Sequence, residues 1–163
     1  MSQQPVIDGF EFASAGSTRE GVWPVGDFPR LHDIVASSAG EVAYGVHGTR
    51  DERGRPALRV RVRGTLMLRC QRCLEPMAFE VDADATLVLA ATVEEIHAEP
   101  ADVNAPDRVV AGPEMPVRDL IEDELILAIP YAPRHERCMR PEADADERTL
   151  PFAGLRGLMR GKH

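Results

Sequence analysis

Between residues 57 and 89 the side chains alternate so strictly that an extended, two-faced pair of strands is the arrangement that accommodates them. Leu58, Val60, Val62, Leu66 and Leu68 hold even positions, while Arg59, Arg61, Arg63, Thr65, Met67 and Arg69 hold the odd ones. Successive side chains of a strand point to opposite faces, so one face is apolar and the other carries arginine. After a short break the alternation resumes, with Met77, Phe79, Val81, Ala83, Ala85, Leu87 and Leu89 set against Glu80, Asp82 and Asp84. Two such runs joined by a turn predict an antiparallel hairpin over residues 57–89. Gly64 interrupts the even set and predicts a bulge.

The break itself reads Arg69-Cys70-Gln71-Arg72-Cys73-Leu74-Glu75-Pro76. A Cys-x-x-Cys pair in one turn can offer two sulfurs to a single ion. A second pair, His135 and Cys138, has the same spacing. Together Cys70, Cys73, His135 and Cys138 form a candidate zinc site, with the hairpin end tied to a segment more than sixty residues away. Two alternatives stand beside it: ordinary thiols that keep the turn of a remnant site, and redox work. The redox reading is the weaker, because a low-pKa thiol pair of that kind sits at a helix N-terminus and here a strand follows.

The arginines also have two readings. Arg59, Arg61, Arg63 and Arg69, with Arg72 in the turn, make a stripe suited to phosphate contacts. Glu80, Asp82 and Asp84 on the neighbouring strand equally suit cross-strand ion pairs, and taken alone the residues favour that solvated, paired face. The net charge of −8 excludes an indiscriminate nucleic-acid coat, yet residues 49–73 hold eight arginines and two acids. The charge is polarised along the chain.

Elsewhere the chain supplies smaller elements. Residues 6–13 predict a short first strand, 14–21 a polar connection, 27–34 a short helix or turn, and 41–48 a strand whose Val42, Tyr44 and Val46 share a face. Residues 94–113 hold three prolines and several acids and predict a flexible acidic loop. Residues 116–128 predict an amphipathic helix, opened by Pro116 and stopped by Pro130. Its Val117, Leu120, Ile121, Leu125 and Ala128 face inward, while Arg118, Glu122, Asp123 and Glu124 face solvent. The fold class is therefore α+β: a mainly antiparallel sheet with a long basic hairpin, and one helix packed on it. One domain is expected over residues 1–140, with an acidic linker and tail over 141–163. An N-terminus without a basic start or long apolar run, and three cysteines in all, point to a reducing cytoplasm and no membrane association. No Gly-rich phosphate loop, no His-Glu-x-x-His and no serine beside a base motif is present, so no catalytic residue is assigned and no enzyme is expected.

Cys70-Gln71-Arg72-Cys73-Leu74-Glu75-Pro76 after an alternating strand, the acidic helix ending in proline over residues 119–130, and Pro151-Phe152-Ala153-x-Leu155-x-x-Leu158 occur in that order. The set resembles the YceD-like family of large ribosomal RNA subunit accumulation proteins. That resemblance implies a non-enzymatic role in ribosome biogenesis, in the synthesis, processing or accumulation of 23S rRNA. The implied partner is large-subunit rRNA or a pre-ribosomal particle, and phosphate contact becomes the better reading of Arg59, Arg61, Arg63, Arg69 and Arg72. An adaptor for a ribosomal protein or nuclease, without RNA contact, is the alternative. Some relatives carry more cysteines after the acidic helix; His135 and Cys138 here match the cysteine-poor branch.

Overall fold

The computed structural model describes residues 5–100 and 102–138. The tail and linker expected over residues 141–163 lie outside them. The elements in chain order are β1 (Val6–Ile7), α1 (Gly9–Ser14), β2 (Thr18–Pro24), two single 3-10 turns (Val25–Asp27 and Pro29–Leu31), β3 (Val35–Ser37), β4 (Glu41–Arg50), β5 (Pro56–Arg69), β6 (Pro76–Ala90), α2 (Val93–His97), β7 (Asp107–Val110), β8 (Met115–Pro116) and α3 (Val117–Ala128).

Strand β5 is the spine. It pairs antiparallel with β6 without interruption from Ala57↔Val88 to Arg69↔Pro76. On its other edge it pairs with β4 from Val42↔Gly64 to Arg50↔Pro56, and then with β3 at Val35↔Leu68. The sheet runs β2-β4-β5-β6-β7, with a separate two-stranded pair β1-β8. All pairings are antiparallel except β6–β7. The even residues Leu58, Val60, Val62, Leu66 and Leu68 are fully buried, as their alternation requires. They meet Phe28 and Leu31 from the turns, Ala13 from α1, and Val117, Ile121 and Leu125 from α3 in one core. Helices and turns thus cover one face of the sheet, and the arginine face of β5 stays open to solvent.

Several expectations are corrected. Gly64 makes no bulge: the register against β6 runs straight through it, and on the other edge it forms the last pair of the β4 ladder, with Val42. The reason for glycine is close packing: a Cβ there would stand 2.7 Å from the Glu41 carbonyl oxygen. Residues 6–13 hold a two-residue strand and then a helix, α1, whose N-cap Asp8 accepts the Glu11 amide through its side chain. The polar connection gives way to β2, an edge strand paired with β4 from Thr18↔His47 to Pro24↔Glu41. Inside the expected acidic loop lie α2, capped by Thr92, and β7, which lies parallel to the end of β6.

The outward face expected of α3 is also wrong for two residues. Glu122 and Glu124 are buried. Glu122 accepts the Arg30 backbone N–H at 2.7 Å and the Arg30 Nε at 2.8 Å, so the turn Pro29–Leu31 is clamped onto the helix by a charge-assisted pair. Burial first, then the nearby Asp107 and Asp123 carboxylates, push the Glu124 carboxyl upward.

Gly64→Ala should destabilise the fold by about 1–3 kcal/mol through overpacking against β4. Urea unfolding followed by the fluorescence of Trp23, which stacks on Tyr44 and meets Phe28 edge-on, measures this. An unchanged midpoint would contradict the close-packing account.

Candidate metal centre and basic face

At the end of the β5–β6 hairpin the chain turns through residues 70–75. The Cys70 amide bonds the Glu75 carbonyl at 3.0 Å, and the Leu74 amide bonds the Cys70 carbonyl at 2.9 Å. Leu74 takes a positive φ of 65°, a conformation that costs a non-glycine residue roughly 1 kcal/mol or more. The turn is thereby wound tightly enough for Cys70 and Cys73 to point to the same side. The segment after α3 is laid against it by the Gln71 amide, which donates to the Pro133 carbonyl at 2.8 Å.

This brings the four expected donors together. One ligand atom from each of Cys70, Cys73, His135 and Cys138 lies within 4.8 Å of the others. Cys70 Sγ and Cys138 Sγ are 3.6 Å apart, and Cys73 Sγ and His135 Nδ1 are 3.3 Å apart. A tetrahedral ion with bonds of about 2.3 Å to sulfur and about 2.0 Å to nitrogen sets its ligands roughly 3.5–3.8 Å apart. The sulfur–sulfur pair matches that edge, and the sulfur–nitrogen pair falls slightly short of it. All three cysteines are free. The other ring nitrogen of His135, Nε2, faces the Pro76 carbonyl at 3.2 Å. A proton on Nε2 donated to that carbonyl leaves the Nδ1 lone pair for an ion, the outer arrangement common to metal-bound histidines.

The sulfurs are not equivalent. Burial pushes the Cys70 thiol up, but backbone N–H groups of Cys73, His135 and Arg72 directed at its sulfur outweigh burial and bring it down to about 5. The Arg72 amide stands 3.4 Å from that sulfur. Burial first, and then Cys70 and Cys73, push the Cys138 thiol up to about 11. The turn is built to hold negative charge at Cys70. The donor set and its spacing are compatible with a metal ion.

The basic face is paired along part of its length. Arg59 makes a two-pronged pair with Asp84, Nε and Nη2 each 2.8 Å from a carboxylate oxygen. Arg61 Nε reaches the same carboxylate at 3.0 Å, and Arg63 Nε reaches Asp82 at 2.9 Å. Thr65 donates to Glu80 at 2.7 Å. Arg69 and Arg72 are exposed, and among the described residues they carry no ion pair. Five arginines thus share a strip with three carboxylates, and the cationic surplus lies toward the cysteine turn. Arg59, Arg61 and Arg63 run along the solvent face from the far end of β5, and Arg69 holds the last pair of the ladder, beside the turn.

Sequence reading missed a second cluster. Arg53, Arg55 and Arg108 gather around Glu99, in a cleft between the β4–β5 turn and the α2–β7 segment. The available signal was Arg108, a lone cation in an acidic stretch.

The Arg59 guanidinium holds the Asp84 carboxyl at about 2, with Arg61 assisting against burial. A carboxyl lowered by folding stabilises the protein above its unfolded pKa of about 4, and that contribution is lost as pH falls through about 2. Arg59→Gln should therefore move the Asp84 titration, followed by carboxyl carbon chemical shift, upward by about one unit or more. A titration that stays near 2 would show that Arg59 is not the cause.

A family model described as large ribosomal RNA subunit accumulation protein YceD matches residues 58–158, a span that takes in the ladder from Arg59 onward and all four cluster residues. No solved structure matches the chain.

Proposed function

Because this chain belongs to the YceD family of large ribosomal RNA subunit accumulation proteins, we propose that it is a non-enzymatic ribosome-biogenesis factor. In this reading it supports accumulation of 23S rRNA by binding that RNA, or a large-subunit precursor particle, in the cytoplasm. The observation that carries the reading is the family match over residues 58–158, which spans the hairpin bearing the arginines.

Arg59, Arg61, Arg63, Arg69 and Arg72 are the proposed contacts. Arg63 and its partner Asp82 are 72% and 69% exposed, so their pair is screened by water and contributes little to the fold. Such a guanidinium can exchange an aspartate for a phosphate at small cost, and phosphate accepts its fork in two places. The paired aspartates also lower the attraction for any polyanion, which favours a shaped RNA target over indiscriminate binding. No described helix is long and apolar enough to cross a membrane.

Zinc is the proposed occupant of the Cys70–Cys73–His135–Cys138 cluster. Three thiolates and one imidazole suit zinc better than hard cations such as magnesium. Four protein ligands leave no open position for a reacting water, so its work would be structural. It would fix the segment 131–138 against the hairpin end and hold Arg69 and Arg72 in place.

The extensive pairing of Arg59 and Arg61 with Asp84 favours a second reading, an adaptor that recruits a ribosomal protein or nuclease without touching RNA.

Replacing Arg61 and Arg63 together by Glu should weaken binding of 23S rRNA fragments by at least about tenfold at low salt, and flatten the dependence on salt. Undiminished binding with a wild-type salt slope would remove the ladder as the contact, and absence of RNA binding in the wild type would favour the adaptor. Elemental analysis of the purified protein should give one zinc per chain. Cys73→Ser should lose it together with several kcal/mol of stability, whereas a metal-free wild type as stable as the variant would exclude a structural zinc.

A further inference from the structure

The cleft between the β4–β5 turn and the α2–β7 segment has a volume of about 1480 Å³ and opens to solvent. Three guanidinium groups, two from the β4–β5 turn and one from β7, converge on one carboxylate oxygen within it. Glu99 Oε2 lies 3.6 Å from Arg53 Nη1, 3.3 Å from Arg55 Nη1 and 3.6 Å from Arg108 Nη1. These distances are long for charge-assisted bonds, which settle near 2.7–2.9 Å. The same Arg55 reaches 2.7 Å with Asp51, so the looseness belongs to Glu99 and not to the arginine.

The chemistry explains the misfit. One carboxylate offers two oxygens, and each guanidinium brings five N–H donors in a planar fork. Arg55 already spends its Nε and Nη2 on Asp51, and the two oxygens of Glu99 cannot satisfy its Nη1 together with the forks of Arg53 and Arg108. Arg108 shows the shortfall most clearly: its side chain is 15% exposed, and its Nε is buried without a hydrogen-bond partner. Its Nη1 reaches the Glu95 and Ile96 carbonyls at 3.2 Å, which anchors the group in place. Of the other acids that line the cleft, Asp51 is engaged by Arg55 and Asp84 by Arg59 and Arg61, whereas Glu52, Asp102 and Asp107 make no ion pair among the described residues and lie where an incoming anion would meet them. Glu99 is half exposed, on the open side of the cleft.

A tetrahedral phosphate presents three or four oxygens and up to two negative charges, which fits three converging forks better than a carboxylate does. We propose that this cleft is a phosphate-binding site in which Arg53, Arg55 and Arg108 hold the ligand and Glu99 is the resident anion that the phosphate displaces. The phosphate can come from an RNA chain or from a free nucleotide. Arg59, at the end of the sheet-face ladder, lines one side of the cleft, but the site takes nothing from Arg61 and Arg63 and does not rest on their contacting RNA.

Calorimetric titration of the full chain at low ionic strength tests this, with three probes: inorganic phosphate, adenosine monophosphate and a short 5′-phosphorylated RNA. The wild type should bind at least one of them, and that probe should raise the melting temperature. Glu99→Gln should tighten binding by about tenfold, because it removes the competing charge. Arg53→Gln, at a 71% exposed position where folding is safe, should weaken it by about tenfold or more. Binding of RNA without the mononucleotide identifies an RNA site, and equal binding of the mononucleotide identifies a nucleotide site. Arg61→Glu/Arg63→Glu should bind the small probes like wild type, which separates this site from the sheet face. No binding of any probe by wild type and Glu99→Gln, or variants that shift the melting temperature while leaving binding unchanged, would overturn the proposal and leave the cluster as an internal ion network.

Discussion

Strand β5 is hydrogen-bonded along both edges, and the rest of the molecule is arranged by that constraint. Its even residues lie under α1, α3 and the Phe28–Leu31 turns, wholly removed from water. A strand has a side-chain period of two, so a slip of one residue would drive Arg59, Arg61 and Arg63 into that core. Burying even one unpaired guanidinium costs several kcal/mol, which fixes the register of β4 and β6 against β5. The same restriction delivers the arginines to a single open face, in line with the aspartates of β6. The basic ladder is therefore a consequence of how the core is built, and its partial neutralisation follows from β6 being the neighbour.

The hairpin end is a second consequence. Because β5 and β6 are fourteen and fifteen residues long, their turn projects to the far edge of the sheet, where the chain leaving α3 passes. The Gln71–Pro133 bond and the four-donor cluster join these segments across more than sixty residues. Packing of α3 in the core closes most of that loop, and what is left to order is the short segment after Ala128, which one backbone hydrogen bond holds only weakly. A metal bond between the two segments would fix that short stretch firmly, and the four converging donors are the physical case for an ion there. The positive φ at Leu74 and the amides aimed at Cys70 are local costs that make sense around a charged sulfur centre.

What was legible in the sequence was whatever depended on local periodicity. β4, β5, β6 and α3 declare themselves because one face of each is buried along its length, and Cys-x-x-Cys with His-x-x-Cys declares a donor set by spacing alone. β2 was missed because an edge strand of Thr18-Arg19-Glu20-Gly21 has no apolar alternation to show. Phe10 and Phe12 alternate as a strand would, and hide α1, although Asp8 three residues ahead of Glu11 carries the capping signal. The glycine at 64 reflects a close approach of the β4 backbone and not a bulge, which only the packed neighbour reveals. Glu122 and Glu124 were placed in solvent because their partners and neighbours, Arg30 and Asp107, come from distant parts of the chain. The convergence of Arg53, Arg55 and Arg108 on Glu99 is invisible for the same reason, since proximity across fifty residues leaves no periodic trace.

The central claim is that this protein meets large-subunit rRNA through the arginine face that ends at the cysteine turn. Ultraviolet crosslinking of the protein to RNA in growing cells, with the crosslinked peptides and RNA segments both mapped, tests it most directly. The account predicts crosslinks within residues 59–72 to 23S rRNA or its precursor. Crosslinks confined to other RNAs or to other surfaces of the chain, or recovery of protein partners without any RNA, would contradict it.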